Sequence, residues 1–495
     1  MSSPDQYNNN ILDLNDDCFY HIYEFLPILD WCSLRDTCTR FRTIADYSFE
    51  RRSETFELTK IDSSRKLVIS EVQRVLRCFG TFMKKLSINK DHFGWRANCT
   101  ELMPYLDRYC QSLLDLEIVR VVFNQATIKQ CNRLFSNLHR LVINNRYLGE
   151  EALSDCLAKC TSLTKLELIG LSGTYGNSLA HTRIESLKSF EMNRCSDLSY
   201  EAVNRFLTIN CQLTQVKLID VRFLHCHDSD TILDDVANKL PKLETLSLRF
   251  NRTFKPNILS VTGMTSLKKL EADVERVADN IVNQLLSGLA VHKSIEDLHL
   301  EQFKCTDESI GLLTSLKTLK ILKLTKTNRL DGNQCKRLAS GLAGLDEIHV
   351  FECKDTSFND VKEFVVHIPN LRRIVFNRAK EQRGPSIVPE MFCSLVVIRK
   401  CQVAKKILSI CLNDNDLRQI QNEFKSTGMG DTIAEHVHVV KLLPLDEQHR
   451  RTVSEDGSDD LLTFSEHDSS FERVGICGEF WCATGLSDTN YKHNF

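Results

Sequence analysis

One short phrase recurs along most of this chain: a leucine, two variable residues, a second leucine, one variable residue and a third leucine. Leu163-Thr-Lys-Leu166-Glu-Leu168 is a clear copy. Other copies are centred on Phe56, Leu86, Leu116, Leu141, Phe190, Val216, Leu246, Leu270, Leu298, Leu322, Ile348 and Ile374. Successive centres lie about 24 to 30 residues apart, and a fixed period in this range predicts a solenoid with one strand and one helix per repeat.

The leucines of each copy follow the two-residue period of a β-strand. They are expected to point into the solenoid, and the residues between them onto the inner face of the sheet. Because each repeat packs only on its neighbours, a chain of 495 residues can fold without one oversized core. Each repeat is expected to be stable only when it is stacked.

The position after the strand carries a side chain that can satisfy the backbone of the bend. Cys195, Asn251 and Cys353 occupy it in three copies. We expect these side chains to turn inward, because a buried bend must find partners for its polar backbone groups. This pattern resembles leucine-rich repeats. The resemblance implies an α/β horseshoe, with parallel strands inside and helices outside, over residues 53–400 in about 12 to 13 repeats.

Several copies also carry a cysteine just before the strand, namely Cys110, Cys160 and Cys211. This feature is similar to the cysteine-containing subclass of leucine-rich repeats, which is common in substrate adaptors of ubiquitin ligases. The chain has 20 cysteines, and most occupy core positions of repeats. We therefore expect reduced thiols and a protein of the cytoplasm or nucleus.

A different pattern precedes the repeats. Residues 1–10 are polar and are predicted to be disordered. In residues 11–52, Cys18, Ile22, Phe25 and Leu26 recur at helical spacing, with Asn15 or Asp16 as the predicted cap. Pro27 should end this helix, and Asp30 should cap the next. So short a helical unit has more apolar surface than it can bury alone, which indicates a partner.

The segment from Leu14 to Ala45 resembles an F-box and aligns with its usual pattern without a gap. Asn15, Trp31 and Thr37 differ from the usual residues. In the family this module binds a Skp-type adaptor, which holds the cullin and RING subunits of an SCF-type ubiquitin ligase. The resemblance assigns adaptor binding to the residues that match the family's apolar positions: Leu14, Ile22, Leu26, Leu34, Cys38 and Phe41.

We predict that the target protein binds between the leucines, on the inner strand face. Acidic residues are somewhat in excess there, which suits a folded protein or peptide with a basic segment. The candidate target-binding residues are Glu191, Asn193, Arg249, Glu271, Asp273, Glu301, Lys323, His349 and Phe351. Each of these charges could equally be an ordinary solvated residue that keeps the protein soluble.

The repeat period ends after Phe376. Residues 401–445 are interpreted as a C-terminal cap, with helical patches at Ala404–Cys411 and Leu417–Phe424. Residues 446–495 form an acidic, serine-rich tail that is expected to be mostly disordered.

Composition argues against several classes of function. The net charge of −3 favours neither nucleic acid nor an anionic membrane, and no apolar run is long enough to span a bilayer. The N-terminus is not expected to be a signal peptide. We find no catalytic or cofactor motif, and His225-Cys226-His227 lacks a fourth ligand for a metal.

Two hypotheses remain open. The first is a non-enzymatic, monomeric substrate-recognition subunit of an SCF-type ligase, which uses residues 11–52 to bind the adaptor and the repeats to bind the target. The second is a repeat scaffold that acts outside a ligase, in which the helical unit only shields the first repeat. The two readings of the helical unit can coexist, because it can bind a partner and cover a repeat at once.

Overall fold

The computed structural model describes most of the chain up to residue 378 and three short stretches beyond it. The described residues are 11, 14–52, 55–58, 61, 64–94, 98–121, 124–146, 148–224, 231–250, 257–328, 330–353, 356–378, 408–412, 418 and 437–441. They belong to two compact units, Met1–Ser260 and Val261–Phe495. Predicted features at residues 1–10, His225-Cys226-His227, Asn251, Leu417 and residues 446–495 lie outside the described residues.

The first unit begins with three helices and continues with alternating strands and helices. Its helices are α1 (Asp16–Phe25), α2 (Ile28–Arg35), α3 (Thr39–Arg52), α4 (Ile69–Phe79), α5 (Met103–Tyr109), α6 (Gln125–Gln130), α7 (Arg133–Asn137), α8 (Glu150–Lys159), α9 (Asn177–Ala180), α10 (Tyr200–Ile209) and α11 (Ile232–Lys239). Its strands are β1 (Thr55–Glu57), β2 (Lys85–Asn89), β3 (Asp115–Val119), β4 (Arg140–Asn144), β5 (Lys165–Ile169), β6 (Ser189–Asn193), β7 (Leu198–Ser199), β8 (Gln215–Val221), β9 (Phe223–Leu224) and β10 (Thr245–Phe250).

The second unit repeats the same alternation. Its strands are β11 (Lys269–Asp273), β12 (Asp297–Glu301), β13 (Ile321–Thr325), β14 (Glu347–Cys353), β15 (Arg373–Arg378), β16 (Leu408–Leu412) and β17 (Val437–Lys441). Its helices are α12 (Asp279–His292), α13 (Asp307–Leu313), α14 (Gly332–Gly341) and α15 (Phe358–His367). Within each unit these strands pair in parallel in chain order, except that β7 and β9 form a small separate sheet.

The register of the sheet confirms the sequence repeat. In the first unit the predicted centre of each strand pairs with the centre of the next, from Phe56 and Leu86 through to Val216 and Leu246. The second unit aligns its centres in the same way, beginning with Leu270. All these centres are buried. The fold is therefore a leucine-rich-repeat solenoid preceded by a helical module.

The sheet extends beyond the predicted last repeat. Ile374 of β15 pairs with Ile410 of β16, and β16 pairs in turn with β17. The helix predicted over Ala404–Cys411 is therefore wrong at Leu408–Leu412, which is a strand. An apolar run of four or five residues fits either a helix or a buried strand, and the free edge of β15 decides for the strand.

Side chains after the strands satisfy backbone groups of the preceding repeat, as predicted. The Cys195 thiol donates to the carbonyl of Leu168 at 3.2 Å, and the Cys353 thiol donates to the carbonyl of Leu324 at 3.4 Å. Burial raises the pKa of Cys195 to about 12 and that of Cys353 to about 11, which keeps both thiols protonated. All cysteines whose side chains the structure describes are free, and most are buried.

The cysteine that precedes the strand behaves less uniformly than expected. Cys110 and Cys160 are buried at the ends of α5 and α8, but Cys211 is exposed. In the repeat that contains Cys211 the buried group at the end of α10 is Asn210, whose side-chain amide donates to the carbonyl of Thr182 at 3.0 Å. Asn210 replaces the cysteine as the buried residue because its side-chain amide can hydrogen-bond to a backbone carbonyl of the neighbouring turn.

Helix packing in the second unit depends on a close approach at Gly341. A Cβ atom there would lie 2.4 Å from both Cβ and Cγ2 of Thr314, whereas a Cβ atom at Gly311 would meet nothing within 4 Å. We expect Gly341→Ala to lower the free energy of unfolding by about 1 to 3 kcal/mol through overpacking. Gly311→Ala should be neutral or stabilise by up to about 1 kcal/mol, because alanine favours the helix. Urea unfolding of both variants tests the pair, and equal effects would contradict it.

Candidate protein-binding surfaces

The first three helices enclose a small aromatic core. The rings of Phe19 and Phe41 meet edge to face with centroids 5.0 Å apart. The hydroxyl of Tyr23 donates to the carbonyl of Phe41 at 3.2 Å, and burial raises the Tyr23 pKa to about 12. Phe41, predicted as a contact for the adaptor, is therefore a core residue with 7 % of its surface exposed. Phe41 therefore supports the outer surface of the helical module from the core side and is not part of that surface.

Trp31 joins this helical module to the first repeat. Its ring lies edge to face against Tyr23, with centroids 5.1 Å apart, and 6.4 Å from Phe79 of α4. Phe49 of α3 stacks on Phe79 with centroids 4.5 Å apart. The module thus covers the first repeat, as the capping hypothesis predicts, and the contact fixes its position there.

Two arginines hold the three helices together. Arg40 donates to the carboxylate of Asp16 at 2.7 Å and to the carbonyl of Leu14 at 2.6 Å, and it lies over the Phe19 ring. Arg35 pairs with Asp46 at 2.7 Å in a half-buried position. These contacts anchor the start of α1 to α3 and fix the direction in which α1 presents its outer side.

An apolar surface remains on the outside of the module. Phe19 and Tyr23 are the buried residues of α1, so the predicted stripe of Cys18, Ile22 and Phe25 faces outward. Phe25 is 85 % exposed. We call this surface the outer apolar face, and it comprises Ile11, Leu14, Ile22, Phe25, Leu26, Leu34 and Cys38. Ile11 was missed in the sequence, because only its exposure of 57 % marks it as surplus to the core.

The three departures from the usual F-box pattern have structural roles. Asn15 caps α1, and its side chain accepts from the Cys18 amide at 2.9 Å. The indole N–H of Trp31 donates to the carbonyl of Leu26 at 3.0 Å, and the Thr37 hydroxyl donates to that of Leu34 at 2.7 Å. The cap predicted at Asp30 is wrong, because α2 begins at Ile28 and places Asp30 inside its first turn.

The inner strand face of the first unit is a network of ion pairs. Arg140 bridges Asp115 at 2.9 Å and Glu167 at 2.8 Å, and Lys165 contacts the same Glu167 carboxylate at 3.0 Å. These cations lower the pKa of Glu167 although burial opposes them. A row of strand residues about 5 Å apart brings opposite charges from successive repeats into contact.

Glu191, a predicted target contact, takes part in the same network. It is 8 % exposed and lies 3.8 Å from the ammonium of Lys217. Burial raises its pKa, and Lys217 offsets only part of that effect. Asn193 and Arg249 are partly exposed, and within the described part of the chain the Asn193 side-chain oxygen is buried without a hydrogen-bond partner.

The second unit shows the same self-pairing. Glu271 accepts from His299 at 3.2 Å, Glu301 pairs with Lys326 at 3.2 Å, and both His299 and Glu301 are buried. The remaining predicted contacts divide into buried and partly exposed residues. Buried are His349 and Phe351, and partly exposed are Asp273 and Lys323. The alternative that Glu191, Glu301 and His349 are ordinary solvated residues is therefore wrong, because all three are buried.

One chain of hydrogen bonds has the order of a hydrolytic triad. His299 lies between the carboxylate of Glu271, at 3.2 Å from Nδ1, and the hydroxyl of Thr325, at 2.9 Å from Nε2. Thr325 is fully buried, so its hydroxyl cannot meet a substrate carbonyl. The arrangement holds β11, β12 and β13 together instead.

Among the described residues no cluster of three or more histidine, cysteine or acidic side chains could hold a metal ion, and no helix is long and apolar enough to cross a membrane.

The role of Trp31 in the joint is open to test. We expect Trp31→Leu, which installs the residue usual in the family, to lower the free energy of unfolding by about 2 to 4 kcal/mol, because it removes a buried hydrogen bond and leaves a cavity. Phe25→Leu is the control, and its exposed position predicts a change within about 0.5 kcal/mol. Urea unfolding followed by hydrogen exchange of the α1–α3 amides would show whether the loss is local.

Buried His349 should make stability depend on pH. Burial lowers its pKa, with Lys323 and Arg373 adding to the effect and Glu347 opposing it. The unfolded chain then binds a proton near the ordinary pKa of about 6.5, so the free energy of unfolding should fall as pH drops from about 7.5 to about 5.5. We expect His349→Gln to flatten this slope in urea unfolding, and the exposed His292→Gln to leave it unchanged. Equal slopes in all three proteins would contradict this assignment.

Comparison with known proteins identifies the helical module. The F-box domain model matches residues 11–51. An internalin from Listeria monocytogenes is 16 % identical, with 74 % of this chain and 81 % of that chain aligned and a TM-score of 0.37. The yeast complex of Rad7 and Elc1 gives 13 % identity, coverage of 78 % and 98 %, and a TM-score of 0.40. A search of curated proteins found no match. Residues 11–51 are thus an F-box domain, and a leucine-rich-repeat solenoid follows it.

Proposed function

We propose that this protein is the substrate-recognition subunit of an SCF-type cullin-RING ubiquitin ligase. The observation that carries the proposal is an F-box domain whose outer apolar face is exposed at Ile11, Leu14 and Phe25 and partly exposed at its other members. Phe19, Tyr23, Trp31, Phe41 and Phe49 pack in the core of the domain or against the first repeat. What remains outside is a patch of leucine, isoleucine and phenylalanine of the kind that marks a protein–protein interface.

In this proposal the outer apolar face binds a Skp-type adaptor. Phe25 would be the anchor, since it is the most exposed large apolar side chain of the described residues. Leu14, Ile22, Leu26, Leu34 and Cys38 would surround it. Phe41 would contribute by holding α3 against α1 rather than by direct contact.

The repeats would bind the target, and other subunits would supply the chemistry. The Trp31–Phe79 and Phe49–Phe79 contacts fix the F-box to the first repeat, so an adaptor on α1 keeps a constant position relative to the neighbouring strands. Such a rigid link raises the effective concentration of a bound target near the ubiquitin-carrying enzyme. The chain itself acts without a catalytic site or cofactor.

The finer assignments follow from the same proposal. Cullin and RING subunits would join through the adaptor, and the chain would be monomeric within that complex. Buried reduced cysteines suit the cytoplasm or nucleus and the cysteine-containing repeat subclass, which Cys110 and Cys160 support and the exposed Cys211 does not.

Adaptor binding is tested by placing a charge on the outer apolar face. We expect Ile22→Asp and Leu26→Asp each to weaken binding of a purified Skp-type adaptor at least about a hundredfold, because each buries an unpaired carboxylate in the interface. Isothermal titration calorimetry measures the affinity. Val291→Asp is the matched control, since Val291 is 73 % exposed on α12 and lies outside the F-box.

Thermal unfolding of each variant must accompany the titration, so that lost binding is not mistaken for lost folding. Removing residues 1–52 is a poorer test, because it uncovers Phe79 and destabilises the first repeat. Undiminished binding by both folded variants would show that this face is not the interface. No binding by the unchanged chain would favour the scaffold hypothesis instead.

A further inference from the structure

Exposed arginines line one edge of the sheet in the first unit. Arg120 directly follows β3, Arg146 follows β4, Arg194 follows β6 and Arg222 follows β8, and all four are exposed. Neighbouring strands lie about 5 Å apart, so these positions span about 20 Å along the carboxyl ends of the strands. We call these four residues the arginine edge.

The backbone does not require arginine at these positions. Arg120 and Arg194 adopt left-handed conformations, with φ of 56° and 52°, and each donates its N–H to a carbonyl of the next strand, that of Asn144 or Ile219. Gly170 occupies the equivalent position after β5, with φ of 66° and the same hydrogen bond. Glycine suits this conformation best, because it has no Cβ. The backbone conformation therefore does not account for the choice of arginine at these positions.

The arginine edge keeps an excess of positive charge. Asp91, Asp197 and Asp220 lie in the same series of turns, and Lys90 adds a further cation. One Asp91 oxygen accepts from Arg120 at 2.8 Å, and the Asp197 carboxylate accepts from the Gly173 amide at 3.1 Å. Among the described residues of these turns, five cations thus face three acids, in a chain whose overall charge is −3.

A row of amide and apolar side chains runs beside the arginine edge. Asn144, Ile169, Asn193 and Ile219 pair in register on four successive strands. The side-chain oxygen of Asn193 is a buried acceptor without a partner within the described residues. A small rotation would present it to the backbone N–H of a bound segment. Ile169, which is partly exposed, offers apolar contact between the two amides.

We propose that the arginine edge and this row bind an extended, acidic segment of the target protein. The inference rests on the proposed function and replaces the basic segment expected from the sequence, since the inner-face acids Glu191 and Glu301 are buried in ion pairs. An extended chain rises about 3.3 Å per residue, so about six residues reach along the edge with alternate side chains toward the arginines. Planar guanidinium groups match carboxylates by paired hydrogen bonds.

A protein segment fits this surface better than RNA. None of the eight residues of the arginine edge and the adjoining row is aromatic, so these eight residues offer no ring on which a base could stack. The side-chain amides of Asn144 and Asn193 could hydrogen-bond to a peptide backbone, whose donors and acceptors recur along its length.

The test uses the intact protein and a fluorescein-labelled peptide of about twelve residues that alternates glutamate with serine. We expect Arg194→Glu combined with Arg222→Glu to weaken peptide binding at least about tenfold in fluorescence anisotropy. The control combines Arg183→Glu with Arg337→Glu. These arginines are exposed, do not belong to the arginine edge and give the same change in net charge. It should change affinity by less than about twofold.

Several results would overturn the proposal. They are failure of the peptide to bind the unchanged protein, equal losses in the two double variants, tighter binding of a uridine oligonucleotide of equal charge, or tighter binding of a peptide that carries this chain's own Ser454–Asp460 run. Titrating the protein that carries both Arg194→Glu and Arg222→Glu with the adaptor separates the proposed function from the proposed peptide site at the arginine edge. Intact adaptor binding with unaltered peptide binding would reject the arginine edge alone.

Discussion

The structure depends on the row of apolar residues that successive strands place side by side. Leu166 contacts the centres of the strands before and after it, and all three side chains are buried. No single repeat can shield such a residue, because one strand and one helix enclose too little volume. Stability therefore comes from stacking, and the first repeat needs a cover. Trp31 and Phe49 supply that cover through Phe79, so the F-box is part of the solenoid's packing.

The same stacking decides what the inner strand face can do. Rows about 5 Å apart force the side chains between the leucines into contact with their equivalents on the next strand. Opposite charges then neutralise each other, as in the Asp115–Arg140–Glu167 series. Exposed cationic side chains are found where the strands end, because side chains diverge at the turns. This explains why the exposed arginines lie at the edge of the sheet rather than at its centre.

The residues of α1 have one of two roles, core packing or exposure on the outer surface, according to the side of the helix on which they lie. Phe19 and Tyr23 face α3 and complete the core, whereas Ile22 and Phe25 face outward. The three residues that differ from the usual F-box pattern stabilise the domain and its contact with the first repeat. Asn15 caps α1, Trp31 fills the joint with the first repeat and Thr37 closes the turn after α2. The outward side stays apolar, as adaptor binding requires under the proposed function.

The amino-acid sequence by itself determined the repeat period, the strand centres and the inward position of residues such as Leu270 and Cys195, because burial in a strand follows a period of two that can be read residue by residue. The F-box pattern could likewise be recognised from one short stretch of the sequence. Only the tertiary structure decided that Phe41 is internal, that Leu408–Leu412 forms a strand, and that Glu191 and Glu301 are paired. These outcomes depend on residues about one repeat away in the chain, whose contacts no local pattern specifies.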